Sequence, residues 1–205
     1  MSSTRHMPPL CLADHAELPT SSRRVARLHR LLAAVVAPAL VLVLAAAMVA
    51  GSAGLASAAT AGPVLDHEEA AFCRTINTYR AQHGLAPLQV STVLTRAAGW
   101  DTANMTQKNY FSHTDSLGRD PFKRMAAFGY TNSPAEGENI AAGSATAAGT
   151  FSQWQNSAPH NQNMLTATYK VIGISRSYSA TATYGWYWNT DFGATTGSAV
   201  PCPSN

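Results

Sequence analysis

The chain has 205 residues, of which 46% are hydrophobic and 12% are charged, and its formal net charge at pH 7 is +3. All of this surplus lies in the first 58 residues, where five arginines stand against one aspartate and one glutamate, so the remainder is close to neutral. A neutral remainder has no basic stripe for phosphate backbones, which excludes a nucleic-acid partner.

The N-terminal segment predicts export. After the arginines, residues 31–50 contain no charged side chain, and the small residues Ala56-Ser57-Ala58 follow. We therefore predict a signal peptide with a long basic n-region over residues 1–58, cleaved after Ala58, and a secreted protein that meets the membrane only through this peptide before cleavage. The alternative is an uncleaved anchor, because about twenty apolar residues span a bilayer. A proline within the apolar run and the small residues after it favour cleavage.

Residues 59–205 have the length of one ordinary domain with its own core. The two cysteines in this part are Cys73 and Cys202. An even pair of cysteines in an exported chain predicts a disulfide bond between them. The alternative, a thiolate nucleophile or metal ligand, is disfavoured because no Cys-x-x-Cys motif accompanies either residue.

Helix signals begin the predicted domain. Asp66 is a predicted N-cap, two glutamates follow in the first turn, and apolar residues at helical spacing continue to a stop at Gly84. A second helix is predicted from Ser91 onward, and its apolar face also carries Asp101.

Two shorter helices are predicted next. Asp120, directly before a proline, opens a short helix that ends at Gly129. A fourth helix is predicted over residues 146–156, and Pro159 prevents it from continuing far.

The C-terminal part changes to strand signals. Residues 171–174 and 184–189 are rich in β-branched and aromatic side chains and predict two antiparallel strands. Helices followed by strands indicate the α+β class. Trp186 and Trp188 share one face of their strand, and packing under a helix layer explains this better than an exposed carbohydrate platform.

Four short stretches place polar or titratable residues in apolar or glycine-marked surroundings: residues 109–113, 137–141, 154–160 and 171–174. In this order, and with Ile76-Asn77-Thr78-Tyr79-Arg80 before them, they resemble the CAP superfamily of cysteine-rich secretory, antigen 5 and pathogenesis-related proteins. They are most similar to its bacterial, SCP-like extracellular members, over nearly all of residues 59–205. The resemblance implies a three-layer α-β-α sandwich with a small antiparallel sheet and a central cleft.

The same resemblance implies that His113, Glu138 and His160 meet in that cleft, flanked by Ser157 and Asn139. Imidazoles and a carboxylate are the usual ligands of Zn²⁺ or another divalent metal, so a metal site is expected there. Taken singly, each residue has a structural alternative: a loop or turn hydrogen bond for either histidine, and a tight turn for Glu138. Ser157 stands where animal and plant members carry a second glutamate, which weakens a mechanism that needs two carboxylates.

Three functions follow from these residues. The first is a secreted binding module for a divalent metal, a small apolar ligand, or a cell-wall or cell-surface component. The second is a metal-dependent hydrolase with His113 and His160 as ligands and Glu138 as ligand or general base. The third is a structural role without a ligand. We expect a binding module rather than an enzyme, since Ser157 leaves no separate group for proton transfer if Glu138 binds the metal, and no serine-hydrolase elbow is present.

Overall fold

The computed structural model describes residues 63–204, so the predicted signal peptide lies outside the described part of the chain. Within this range the elements follow in the order α1 (His67–Gln82), β1 (Gln89–Ser91), α2 (Thr92–Lys108), α3 (Pro121–Ala127), β2 (Glu136–Ala142), α4 (Ala147–Gln155), α5 (Ala158–Met164), β3 (Val171–Tyr178), β4 (Trp186–Gly193) and β5 (Ala199–Val200). Among these residues, no helix combines the length and the apolar character needed to cross a membrane.

The helix starts agree with the capping signals in the sequence. Asp66 and Glu69 form a capping box at α1, since each side chain accepts a hydrogen bond from the main chain of the other residue. Ser91, Asp120 and Thr146 accept from the main chain in the first turns of α2, α3 and α4. These four helices are therefore confirmed.

A fifth helix begins where the sequence predicted a stop. Helix α4 ends at Gln155, and Pro159 occupies the first turn of α5, where its missing N–H costs no hydrogen bond. His160 consequently lies on a helix and not in a turn.

The sheet has five strands in the order β2-β4-β3-β1-β5. The predicted pair β3 and β4 is antiparallel, as expected, and β2 and β5 also pair antiparallel with their neighbours. The short β1, however, runs parallel to β3, so the sheet is mixed and not purely antiparallel. Strands β1, β2 and β5 were not predicted, because two of them are very short and β2 carries the weak strand formers Gly137, Glu138 and Asn139.

Helices cover both faces of the sheet, which confirms the three-layer α-β-α sandwich. On one face, Phe72 of α1 and Trp154 of α4 belong to the same core cluster as Trp188 of β4. On the other face, Leu94 of α2 and Met125 of α3 form a cluster with β3. Neighbouring residues of β3, such as Val171 and Ile172, therefore belong to two different cores.

Close packing of α2 on β3 depends on Gly173. A Cβ atom at this position would overlap the main chain at Leu94. The glycine in the stretch 171–174 thus lets the helix approach the strand at backbone distance.

The chain after α5 is fixed by a buried arginine. Arg80 of α1 is fully buried and donates hydrogen bonds to the carbonyl oxygens of Ala86, Met164 and Thr166. Burial lowers the pKa of this guanidinium, and the carbonyl oxygens replace part of its lost hydration. Arg80 therefore connects α1 to the end of α5.

The predicted disulfide between Cys73 and Cys202 is present, with 5.8 Å between the two Cα atoms, within the usual range for this bond. It joins α1 to the C-terminal segment, 129 residues later. A cross-link over a loop of this length restricts the unfolded chain strongly in the chain-entropy account.

Trp188→Ala should destabilise the fold strongly. The Trp188 side chain is fully buried, its ring centroid lies 5.8 Å from that of Phe72, and its Nε1 donates to the carbonyl of Ser144 at 2.8 Å. Removal of a buried aromatic side chain typically costs about 3 to 5 kcal/mol. Urea denaturation should show this loss in the free energy of unfolding. Trp186→Ala should cost clearly less, because Trp186 is only half-buried and lies under Arg176. Similar losses for both variants would contradict the assignment of Trp188 to the core.

Candidate functional site

The imidazole of His113 is held by a buried carboxylate. His113 lies in the loop after α2 with 45% of its side chain exposed, whereas the side chain of Glu138, in the middle of β2, is only 2% exposed. The distance from His113 Nδ1 to Glu138 Oε1 is 2.6 Å. Because an ionised carboxylate only accepts hydrogen bonds, Nδ1 carries a proton and donates it, and in the neutral form of the ring Nε2 then has the lone pair.

The second oxygen of Glu138 is also engaged. Arg124 of α3 donates to Glu138 Oε2 through Nη2, and Asn189 of β4 donates to the same oxygen at 2.7 Å. Arg124 Nη1 in addition donates to the main-chain carbonyl of His113 at 3.2 Å. The pair Arg124–Glu138 therefore holds His113 at two points, its ring and its backbone.

Two more carboxyl groups lie beneath this pair. Asp101 of α2 is 3.1 Å from Arg124 Nη1 and accepts from Asn189 at 2.8 Å. Asp191 of β4 is fully buried, and within residues 63–204 no donor reaches either of its carboxylate oxygens. Asp115, whose side chain is also buried, is 4.0 Å from Nη1 but is paired with Arg119. Arg124 thus faces the other three buried carboxyl groups alone, an excess of negative charge that a low-dielectric interior does not tolerate.

Protonation relieves this excess. Burial, reinforced by the charge of Glu138, raises the pKa of Asp101 to about 7, against the opposing effect of Arg124. Burial and Glu138 also raise the pKa of Asp191 well above its usual range. Burial alone would lower the pKa of the Arg124 guanidinium, but the charges of the neighbouring carboxylates raise it. Asp191 without donors is the carboxyl group best placed to retain its proton, and Arg124–Glu138 remains the ion pair.

His160 is positioned by different contacts. It lies in the first turn of α5, with Nδ1 2.7 Å from the hydroxyl oxygen of Ser157, the N-cap residue, whose side chain does not cap the helix. The ring stacks on Trp154 at 6.1 Å between centroids and 24° between planes. Burial lowers the pKa of His160, and the charge of His113 lowers it further, so the two imidazoles interact electrostatically.

Asn139 anchors α5 to the sheet. Its side chain is fully buried and donates to the main-chain carbonyl of His160 at 3.0 Å. Asn163, near the end of α5, donates both to Asn139 Oδ1 at 2.8 Å and to the carbonyl of Glu138 at 3.1 Å. Asn139 therefore fixes the backbone of His160, and its own side chain is occupied by these contacts.

The candidate residues thus form two linked groups. His113 contacts Glu138 directly, His160 contacts Ser157, and the coupling between the two histidines joins the groups. In residues 63–204, no group of three His, Cys, Asp or Glu side chains is arranged so that it could hold a metal ion.

The supporting network was not predicted from the sequence. One signal was present in α2, where Asp101 shares a face with apolar residues and is fully buried. A second signal was strand alternation in β4, which places Asn189 and Asp191 on one face between large apolar residues. Polar residues at buried positions of amphipathic elements indicate partners elsewhere in the fold. The sequence offers no local signal that the main partner is Arg124.

Comparison with known proteins places this architecture in a family. Residues 73–192 match the family model described as the cysteine-rich secretory protein family, CAP. The uncharacterized protein YkwD of Bacillus subtilis is 37% identical over 98 residues, which are 48% of this chain and 38% of YkwD. The match therefore spans well under half the length of that relative.

Solved structures show the same fold at low sequence identity. An extracellular protein containing an SCP domain from Bacillus anthracis superposes with a TM-score of 0.55 at 21% identity, over 65% of this chain and 45% of that one. An outer surface protein of Borrelia burgdorferi also gives 0.55 at 21% identity, over 64% of this chain and 97% of its own length. A cysteine-rich secretory protein of Staphylococcus aureus gives 0.51 at 17% identity, over 65% and 40% of the two chains.

Asp101→Asn should change how stability depends on pH. With a folded pKa of about 7 and an unfolded pKa of about 3.9, folded Asp101 keeps a proton that the unfolded chain releases between these values. Its contribution to the free energy of unfolding is therefore complete below about pH 4 and declines as the pH rises toward 7. Urea denaturation should show the stability of the wild type falling relative to that of the variant across this interval.

Asp120→Asn is the control for this experiment. Burial alone would raise the pKa of Asp120, but its hydrogen bonds and the Lys123 ammonium together hold that pKa below its usual value, so its titration affects stability only at lower pH. Asparagine also remains a good N-cap for α3. Parallel stability curves for the wild type and Asp101→Asn between about pH 4 and 7 would contradict the raised pKa of Asp101.

Proposed function

The chain belongs to the cysteine-rich secretory protein (CAP) family, and we propose that it is a secreted binding module whose histidine cleft takes up a divalent metal ion. Two kinds of observation support export. The N-terminal sequence has the pattern of a cleaved signal peptide, and the solved proteins of similar fold are described as an extracellular protein and an outer surface protein. On this proposal, the partner of the module is a small apolar ligand or a component of the cell wall or cell surface.

The observation that carries the metal proposal is the state of the two imidazoles. In each ring Nδ1 is engaged, by Glu138 Oε1 in His113 and by the Ser157 hydroxyl in His160. Metal-binding histidines characteristically use one ring nitrogen for the metal while the other is hydrogen-bonded to a carboxylate or similar acceptor, which fixes the ring and its tautomer. The donor set therefore suits Zn²⁺ or a similar divalent ion bound through the two Nε2 atoms.

In this arrangement Glu138 is a positioning residue. Its oxygens already accept from His113, Arg124 and Asn189, so it orients and polarises His113 without binding the metal itself. Two imidazoles leave part of a zinc coordination sphere open to water or to an external ligand. Such a metal would act as a Lewis acid that attracts an oxygen or nitrogen ligand, which suits a binding module with an exchangeable partner.

The hydrolase alternative requires a general base near the metal. Glu138 has no unoccupied oxygen for this role, and Ser157 takes the position of a second acid. The remaining carboxyl groups of the network, Asp101 and Asp191, are fully buried. This distribution of carboxylates favours binding over hydrolysis.

Zinc titration of histidine variants tests the proposal. We expect His113→Ala and His160→Ala each to weaken zinc binding strongly, and the double variant to add little because one lost ligand already opens the site. Ser157→Ala should cost roughly tenfold through the orientation of His160. His67→Ala, at an exposed position on α1, is the control and should bind like the wild type. Isothermal titration calorimetry measures the zinc affinities of these five variants and of the wild type.

The pH dependence gives a second readout. Zinc affinity should fall below about pH 6.5, the ordinary histidine pKa, because protons compete for the same nitrogens. The lowered pKa of His160 delays its protonation to more acidic pH. Equal affinities in the wild type and His113→Ala, or no zinc binding at saturating concentration, would show that the two histidines have a structural role instead.

A further inference from the structure

An exposed aromatic pair lies at the open end of the β3–β4 hairpin. Tyr178 and Trp186 stand directly opposite each other in the register of the two strands, so their side chains share one face of the sheet. Their ring centroids are 5.0 Å apart, with 40° between the ring planes. The sequence singles out Trp186 together with Trp188, but only Trp188 belongs to the core. Trp186 and its neighbour on β3 therefore have no role in the site described above.

The buried part of this sheet face ends before the aromatic pair. Trp188, two residues along β4 from Trp186 and hence on the same face, is fully buried. Arg176, opposite Trp188 on β3, has 14% of its side chain exposed, whereas Tyr178 is 58% exposed. Exposure thus increases along the face, and the aromatic pair extends past the core.

Arg176 holds Trp186 in place while its own charge is compensated. The guanidinium lies over the indole of Trp186, 4.4 Å from the ring centroid. Its Nε donates to the carboxylate of Asp66 at 2.7 Å, and its Nη1 donates to the carbonyl of Ala145. These hydrogen bonds fix the guanidinium, so the orientation of the indole is set before any ligand binds.

The chain around the pair is polar but uncharged. Residues 177–190 contain no Asp, Glu, Lys, Arg or His, and the hydroxyl oxygens of Ser179 and Thr181 lie 3.0 Å apart directly after Tyr178. In the part of the chain that the structure describes, neither the Tyr178 hydroxyl nor the indole N–H of Trp186 has a hydrogen-bond partner. A ligand therefore meets a hydroxyl that donates and accepts and an N–H that donates.

Several partners fit this surface poorly. A nucleic acid, an acidic polymer or a polyamine would need opposite charges, which residues 177–190 lack. A stable protein interface buries about 800 Å² on each side, whereas an aromatic side chain buries about 150 to 250 Å², so the pair is too small to be one by itself. A membrane surface is bound through a larger apolar area, or through basic side chains attracted to anionic lipids.

We propose that Tyr178 and Trp186 form a platform for a neutral glycan. The face of an aromatic ring carries partial negative charge and the C–H groups of a sugar ring are weakly positive, so the two surfaces attract each other as water is displaced. Sugar hydroxyl groups exchange hydrogen bonds with the Tyr178 hydroxyl and the Trp186 N–H. The platform shares no residue with the histidine cleft and goes beyond the metal proposal. Only the location of its glycan at the cell surface rests on the proposed export.

Titration with neutral tetrasaccharides tests this platform. The probes are β-1,4-linked tetramers of N-acetylglucosamine and of glucose, added to ¹⁵N-labelled protein purified from cells that express the full chain. At least one tetramer should bind and shift the indole N–H signal of Trp186. The indole N–H groups of Trp154 and Trp188 donate to main-chain carbonyls inside the fold, so their signals are internal controls and should move little.

Variants on the two faces of the hairpin give matched comparisons. Tyr178→Ala should weaken tetramer binding roughly tenfold or more, and Tyr178→Phe, which keeps the ring, should weaken it less. Tyr184 is also exposed, but it packs against Phe111 and Tyr187 instead, so Tyr184→Ala should bind the tetramer like the wild type. His113→Ala should retain tetramer binding whatever its effect on zinc, which separates a failure of this platform from a failure of the metal proposal.

The glycan platform is overturned if neither tetramer binds at millimolar concentration, or if Tyr178→Ala binds as tightly as the wild type. It is equally overturned if a bound tetramer leaves the Trp186 signal unchanged. Binding to phosphatidylcholine vesicles that depends on Tyr178, without binding of either tetramer, would assign the aromatic pair to a membrane surface instead.

Discussion

The buried ion pair between Arg124 and Glu138 is the interaction on which the candidate site depends. Both side chains are almost completely removed from water, a position in which the attraction between the charges only offsets their lost hydration if the hydrogen bonds are complete. Glu138 meets this condition through His113, Arg124 and Asn189. The pair matters more for positioning the site than for the stability of the fold, because it connects α3, β2, β4 and the loop of His113 at one point.

The position of His113 follows from this pair. The loop after α2 is exposed around His113, but Arg124 holds its carbonyl and Glu138 holds its ring. His160, by contrast, is positioned by other contacts. Its ring stacks on Trp154 and contacts the hydroxyl of Ser157, and its main-chain carbonyl accepts a hydrogen bond from Asn139. Two independent supports thus present two imidazoles from distant parts of the sequence. A metal or ligand site requires a rigid pair of imidazoles, because the conformational entropy of the side chains is then lost on folding and not on binding.

The parts of the fold that sequence predicts are those with local causes. Asp66, Ser91, Asp120 and Thr146 cap helices within three residues of themselves, and each helix begins as predicted. Strand β2 was not predicted because its polar residues are stabilised by partners from other elements and not by strand propensity. The same limitation applies to the network: Asp101 on an apolar face indicates a partner, but only the tertiary fold identifies Arg124 and Asn189. The resemblance to the family grouped His113, Glu138 and His160, while only the tertiary structure shows that Glu138 contacts His113 directly.

The tautomer of His113, that is, which of its two ring nitrogens carries the proton, is the property that tests the central claim most directly. If buried Glu138 orients the ring for an external ligand, neutral His113 must carry its proton on Nδ1 and present Nε2 as an acceptor. Long-range ¹H–¹⁵N NMR correlation of the imidazoles distinguishes the two tautomers in the metal-free protein above the pH at which the ring is charged. The account predicts the Nδ1–H tautomer for His113 and its loss in Glu138→Gln. An Nε2–H tautomer in the wild type would contradict it, because the ring would then turn its donor, and not its lone pair, toward the cleft.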